Sequence, residues 1–175
     1  MPSAAILTIS DTRSAGSRAD TTTSMMAEIL GDAGFQIAER RLVPDEFDDI
    51  AAAISQLAAG ADLVLTSGGT GLAPRDVTPE ATRSVIDREA PGFAEAMRSQ
   101  TAKIQPLAWL SRAVAGQLGT ALVINLPGNP KAVRQCLDVL LPMLQHAIKT
   151  STGDGDGAPR DRIAPGRCPD QGTRR

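Results

Sequence analysis

A chain of 175 residues has room for one domain of ordinary size and none for a second catalytic domain. With 42% of its residues in the set AVILMFWYC but only 2% aromatic, it must fill its core with Ala, Leu, Ile and Val, which excludes aromatic base-stacking platforms. Eighteen Lys and Arg against 20 Asp and Glu give a net charge of -2, without the positive excess of a phosphate-backbone binder, so nucleic acid is not an expected partner.

Two cysteines, Cys136 and Cys168, and one histidine, His146, supply neither a disulfide framework nor a four-ligand zinc site, as expected of a protein of the reducing cytoplasm. No apolar run approaches the roughly 18 residues of a membrane span, and the first five residues carry no basic stretch that would read as a leader.

The run Ala4–Ile9, closed by Ser10-Asp11-Thr12, predicts a buried strand. Asp20 or Thr21 caps a helix over Thr22–Ala33, where Met26, Ile29, Leu30 and Ala33 recur at helical spacing, Met25 is filler and Gly34 is the stop. Phe35–Val43 alternates as an edge strand does, and Pro44-Asp45-Glu46 opens a helix over Phe47–Ala59 with Ile50, Ala53, Ile54 and Leu57 on one stripe. Leu63–Thr66 is a short strand that runs into Ser67-Gly68-Gly69-Thr70-Gly71, too glycine-dense to continue.

Thr78 as cap, Pro79 and Glu80 predict a helix over Pro79–Arg88, interrupted by Pro91 and resumed over Gly92–Lys103. A last strand, Ala121–Leu126, ends in Pro127-Gly128-Asn129-Pro130. The helix Lys131–Lys149 then carries Val133, Leu137, Leu140, Leu141 and Leu144 on one stripe and bends at Pro142. This order predicts an α/β fold, a single-domain three-layer αβα sandwich over residues 1–150 with a mostly parallel sheet. Residues 151–175 turn to Gly, Asp, Pro and Arg without apolar periodicity and read as a disordered tail.

In open parallel sheets, ligands bind outside the carboxyl ends of the strands. Three loops fit that position: Ser10-Asp11-Thr12, Thr66–Gly71 and Leu126–Pro130, each with small residues that let backbone amides approach an anion. The dinucleotide fingerprint and the P-loop are both absent, since only one glycine follows the first strand and Gly71 is followed by Leu72 rather than a lysine. The run of glycines alone is equally compatible with a plain tight turn. Arg75 and Asp76, between that turn and a helix start, suit phosphate and metal: Asp76 is a candidate Mg²⁺ ligand and Asp45 a candidate second one. The bland readings are that Asp76 pairs with Arg75 or caps a turn, and that Asp45 caps its own helix.

His146 reads as structural or solvent-facing, Cys136 as a small core residue and Trp109 as packing, and no exposed apolar stripe speaks for a scaffold role. Without a histidine base at the strand ends, the attacking group is best an anion already, such as a phosphate monoester. Catalysis then reduces to positioning, metal binding and charge neutralisation, for which two aspartates, the glycine loops, Arg75, Arg112 and Lys131 suffice.

Taken in order, Ile9-Ser10-Asp11-Thr12, Val43-Pro44-Asp45-Glu46, Thr66–Gly71, Pro74–Ala81, Pro91-Gly92-Phe93, Leu110-Ser111-Arg112 and Asn125–Pro130 resemble the molybdopterin adenylyltransferase family, which includes the G domain of gephyrin and its plant counterpart. The resemblance spans about Ala4–Lys149. It implies that the terminal phosphate of molybdopterin attacks the α-phosphorus of ATP, with Mg²⁺ required and pyrophosphate released, just before a downstream molybdenum-insertion enzyme acts.

By matching position the resemblance makes Asp45, Asp76 and Ser111 catalytic, with Asp45 and Asp76 as the Mg²⁺ ligands, which reverses the helix-cap reading of Asp45. It assigns Ser10, Asp11, Thr12, Ser67, Gly68, Gly69, Thr70, Gly71, Arg75, Arg112, Pro127, Gly128, Asn129 and Lys131 to the pterin and nucleotide pocket, and it implies a homotrimer. The Thr21-Thr22-Thr23 run departs from the family's usual Ser or Thr followed by Gly, so the first helix is expected to contact substrate less closely. The alternative reading is a non-catalytic molybdopterin-binding protein of the same fold.

Overall fold

The computed structural model describes residues 1–14 and 21–153. Its elements are β1 (Ser3–Ile9), α1 (Asp11–Ser14), α2 (Thr21–Asp32), β2 (Gln36–Val43), α3 (Phe47–Ala58), β3 (Leu63–Ser67), α4 (Thr78–Val85), β4 (Arg88–Glu89), α5 (Pro91–Thr101), a 3-10 turn (Pro106–Leu110), β5 (Ala115–Leu118), β6 (Ala121–Leu126) and α6 (Pro130–Ser151). They build an α/β fold around a sheet of order β2-β1-β3-β6-β5-β4. The pairs β2–β1, β1–β3 and β3–β6 are parallel, whereas β5 runs antiparallel to β6 and β4.

The three central strands are buried along nearly their whole length because helices cover both faces, which is why their sequences are apolar runs rather than alternations. Successive side chains turn to opposite faces. Ile6, Leu65 and Ile124 meet Met26 and Leu30 of α2, Met97 of α5, and Leu137 and Leu140 of α6. Leu7, Val64 and Val123 meet Ile50, Ile54 and Leu57 of α3 and Ala81 of α4. At the outer edge, β2 is largely exposed, as its alternating sequence anticipates.

At the start of α2, Thr22 and Thr23 are buried and the Thr23 hydroxyl is hydrogen-bonded to that of Thr8 on β1. The threonine run therefore fastens the helix to the sheet. Asp20 and residues 154–175, most of the expected tail, lie outside the described residues.

The structure departs from expectation at the end of α4, in the added strands β4 and β5, and at Trp109. The helix expected over Pro79–Arg88 stops at Val85, because Ile86 turns extended and Asp87 N donates to Gln117 O at 2.7 Å, starting the β4–β5 pairing. Gly116 permits that pairing: a Cβ there would lie 2.5 Å from Arg88 O. Trp109, expected to pack, is instead 61% exposed on the 3-10 turn, as are Leu107 and Leu110 on the same turn and Ile104 just before it. That apolar cluster also corrects the expectation that no such stripe is exposed. His146 is exposed on α6, as expected, and Cys136 is a buried residue whose thiol is pushed up to about 11 by burial.

Candidate active site

The carboxyl ends of β1, β3 and β6 meet, and glycine is what lets them. A Cβ on Gly68 would stand 2.2 Å from Ile9 O at the end of β1, and one on Gly128, after β6, would stand 3.4 Å from Gly68 Cα. Gly68 (φ 117°) and Gly69 (φ 62°) also occupy the left-handed region that favours glycine. Ser67 is fully buried and donates to Pro127 O at 3.0 Å, a cross-tie between two strand ends rather than a group turned toward a ligand.

The carbonyls of Gly69, Thr70 and Gly71 are all taken. Gly69 O accepts from Thr78 N at 3.1 Å, Thr70 O from Arg112 N at 3.0 Å, and Gly71 O from Arg112 Nε at 2.7 Å. Gly68 N donates to Leu126 O at 3.2 Å, so the backbone groups the turn can still offer are the amides of Gly69, Thr70 and Gly71, which suit an anion.

Asp45 does not cap α3, which begins at Phe47 with no side-chain cap at Glu46. Instead, Asp45 and Asp11 exchange hydrogen bonds: Asp11 N donates to Asp45 Oδ2 at 2.9 Å, and Asp45 N donates to Asp11 Oδ1 at 3.0 Å. That exchange locks the end of β1 to the end of β2. Asp45 Oδ1 would lie 3.2 Å from a Cβ on Gly69, and Asp76 Oδ2 would lie 2.8 Å from one on Gly71. The two carboxylates therefore border opposite ends of one glycine turn.

Burial chiefly raises the Asp45 pKa above the ordinary carboxylate range, with the charges of Asp11 and Asp76 adding to it against the opposing Asp11 amide. Asp11 moves the other way, lowered first by its hydrogen bond from Arg75 and then by the Asp45 amide.

Asp76 caps a turn, accepting from Ala73 N at 3.0 Å, so the bland reading of that residue holds in part. The other bland reading fails, since Arg75 pairs with Asp11 at 2.8 Å and Glu46 at 2.9 Å rather than with Asp76. Arg112, expected to neutralise phosphate, has each of its donor nitrogens engaged within the chain, by Gly71 O, Glu80 and Asp76 O. It is a clip holding the turn to α4.

Ser111 lines a cavity of about 460 Å³ together with Gly69, Thr70, Gly71, Asp76, Pro127, Gly128 and Asn129. The far wall of that cavity is apolar, with Ala94, Met97, Leu107, Leu110 and Ala113 among its residues. Asp76 also borders a second hollow of about 390 Å³, shared with Leu72, Pro74, Glu80 and Arg112. Asn129 caps α6 by accepting from Lys131 N at 2.9 Å, Lys131 is exposed in that first turn, and the Ser10 and Thr12 hydroxyls lie 3.1 Å apart at the mouth of β1.

Sequence reasoning missed Arg98, whose Nη1 donates to Ser111 O and Ala113 O at 3.2 Å each and so fixes the segment between the 3-10 turn and β5 that carries Ser111. It also missed Gln105 and Gln135 on the cavity wall, which belong to no motif.

A family model described as "Probable molybdopterin binding domain" matches residues 5–146. The chain belongs to this family. It is 38% identical over 153 residues to the molybdopterin adenylyltransferase of Helicobacter pylori strain J99, covering 85% of this chain and 87% of that protein. To the molybdopterin adenylyltransferase of Escherichia coli K12 it is 43% identical over 138 residues, 76% and 70% of the two chains. Among solved structures, the molybdopterin biosynthesis enzyme MoaB of Thermus thermophilus matches with a TM-score of 0.83 and 49% identity over 87% of this chain and 98% of that one. Membership in this family names the ligand class for the cavity, whose lining is mostly apolar with polar groups at the glycine turn, Ser111 and Asn129.

Proposed function

We propose that the chain is a molybdopterin adenylyltransferase, moving AMP from ATP to the terminal phosphate of molybdopterin. The observation that carries the reading is the pair Asp45 and Asp76 on either end of one glycine turn, of which the turn and Asp76 also line a cavity apolar on one wall, while Asp45 lies outside its lining. The relatives named molybdopterin adenylyltransferase support it over most of both chains.

The donor set fits a hard cation, since the side chains bordering the turn offer carboxylate oxygens and no thiolate or imidazole, and two carboxylates are the share of ligands the protein gives to an ion such as Mg²⁺ that otherwise takes phosphate and water. Asp45 and Asp76 would hold it, and it supplies charge neutralisation on the nucleotide phosphates. The phosphate oxygen of molybdopterin forms the new bond to the α-phosphorus while the bond from that phosphorus to the bridging β-phosphate oxygen breaks, and pyrophosphate leaves with that oxygen. The nucleophile is already an anion, so no side chain has to remove a proton. The turn's amides and the Ser111 hydroxyl orient the phosphates, and the apolar wall holds the heterocycle away from water.

The same reading carries a homotrimer in the cytoplasm that passes its product to a molybdenum-insertion enzyme. The exposed cluster of Ile104, Leu107, Trp109 and Leu110 supports self-association, and no helix among the described residues is long and apolar enough to cross a membrane.

Supplying the protein with molybdopterin, ATP and Mg²⁺ and following pyrophosphate tests the reading. Turnover is expected to fall more than tenfold in Asp76→Asn, a barrier increase of at least about 1.4 kcal/mol. Tight pterin binding without pyrophosphate would instead identify a binder.

A further inference from the structure

Beneath the glycine turn lies a polar group that the proposed reaction leaves without a role. Thr78, the first residue of α4, is fully buried, and among the described residues its Oγ1 is the buried side-chain oxygen left without a hydrogen-bond partner. Such groups are rare in folded proteins because burying a hydroxyl without a partner is destabilising, and a chain that keeps one needs a reason. A valine would fill the same space without that cost.

The surroundings show where the hydroxyl is aimed. A Cβ on Gly69 would lie 2.3 Å from Thr78 Oγ1 and 3.2 Å from Asp45 Oδ1, so hydroxyl and carboxylate border the same point of the turn with no side chain between them. Thr78 N already donates to Gly69 O, which pins the residue to that glycine. Asp45 Oδ2 is held by Asp11 N, which leaves Oδ1 as the oxygen facing the turn. Buried as it is, Thr78 Oγ1 touches no ligand and can act only through Gly69 and Asp45.

We propose that Thr78 is a positioning residue for the nucleotide site: its hydroxyl donates to Asp45 when magnesium and ATP are bound, fixing the carboxylate that faces the glycine turn. The proposal rests on the adenylyltransferase reading. In the empty protein the hydroxyl is held in reserve at a cost to stability. On binding it gains its partner.

Thr78→Val keeps the shape and removes the hydroxyl, whereas Thr78→Ser keeps the hydroxyl. Three quantities are read for both variants and for the unaltered protein: the thermal midpoint without ligand, the rise in midpoint on adding Mg²⁺ and ATP, and kcat and KM for ATP from pyrophosphate release. Thr78→Val is expected to melt no lower than the unaltered protein, yet to show a smaller ligand-induced rise and a kcat at least tenfold lower. Thr78→Ser is expected to restore both.

A Thr78→Val protein with unaltered rise and kcat overturns the proposal, as does one whose midpoint without ligand drops, since the hydroxyl would then be an ordinary structural group. If the unaltered protein releases no pyrophosphate, the functional reading fails separately. The ligand-induced rise then decides for Thr78: loss in the valine variant and retention in the serine variant keep it as a nucleotide-positioning residue, and anything else overturns it.

Discussion

Gly68→Ala isolates the close approach on which the site is built. Gly68 closes β3 with φ 117°, and an alanine Cβ there would stand 2.2 Å from Ile9 O and 3.2 Å from Ile9 C. Both atoms belong to the backbone of β1, which is paired on both sides and buried, so no rotamer change can relieve the contact. Holding a non-glycine residue in such a region costs on the order of 1–3 kcal/mol by itself, and displacing β1 from β3 adds to it.

Gly119 is the internal control, with φ 60° and nothing within 4 Å of the added Cβ, so Gly119→Ala carries only the left-handed strain of about 1 kcal/mol. Gly68→Ala is therefore expected to cost at least about 3 kcal/mol. In a domain of this size that lowers the calorimetric midpoint by about 6–12 °C, against about 2–4 °C for Gly119→Ala. The protein stays folded if its total stability is in the usual range of about 5–15 kcal/mol, so pyrophosphate release can be measured on the same sample and is expected to fall with the displaced Ser10-Asp11 loop. Equal midpoints for the two alanine variants would refute the argument that contact between the ends of β1 and β3 shapes the site.

Arg112→Lys should show that Arg112 is a clip. One ammonium cannot serve Gly71 O, Glu80 and Asp76 O together, so a loss of about 1–2 kcal/mol, read as a midpoint about 2–8 °C lower, is expected along with a raised KM for ATP. Asn125→Leu removes the fully buried amide that donates to Thr66 Oγ1 at 3.0 Å and Thr82 Oγ1 at 2.8 Å and accepts from Val114 N at 3.2 Å. The partners left unpaired should cost about 1–3 kcal/mol in urea unfolding, with Asn125→Asp no better.

The raised Asp45 pKa sets the pH dependence. Cation binding needs the ionised carboxylate, so as pH falls Asp45 is protonated before Asp11, whose pKa is lowered, and kcat/KM should decline while circular dichroism still reports a folded chain. The same shift means that the folded state holds the Asp45 proton more tightly than the unfolded chain does. Ionised Asp45 therefore weakens the fold above its pKa, and Asp45→Asn should melt higher at neutral pH while losing turnover.

The parts of this molecule legible in the sequence are those whose physics is local. β1, β3 and β6 announce themselves because strands covered on both faces must be apolar runs, and the meeting of their three end loops follows from where a parallel sheet leaves its strand ends. β4 and β5 stay hidden because two residues and the run Ala115–Leu118 carry no pattern. Their pairing exists only once Gly116 allows Arg88 to approach.

Arg112 misleads because the groups that claim it, at positions 71, 76 and 80, are brought together by the fold rather than by spacing. Trp109 misleads because an apolar residue reads as core, and nothing in the sequence says that the 3-10 turn carrying it lies on the outside. Asp45 is the instructive reversal: as a residue before a helix it looks like a cap, and only its exchange with Asp11 reveals a strand-end lock that turns a carboxylate toward the glycine turn.

That lock bears on the order of events at the site. With the carbonyls of Gly69, Thr70 and Gly71 engaged by Thr78 and Arg112, the turn presents amides, which attract phosphate, between two carboxylates, which repel it. Arg75 does little to offset that repulsion while it pairs with Asp11 and Glu46, and Arg112 does little while it holds the turn. Two anionic phosphates brought beside Asp45 and Asp76 need a compensating positive charge that the two arginines, committed as they are, do not spare, which leaves the exposed Lys131 and a bound cation to supply it. On the proposed reading, a cation held by the two carboxylates would therefore come with the nucleotide or before it, and pyrophosphate release is expected to stop when a chelator removes divalent cations; release that continues in the chelator would refute this.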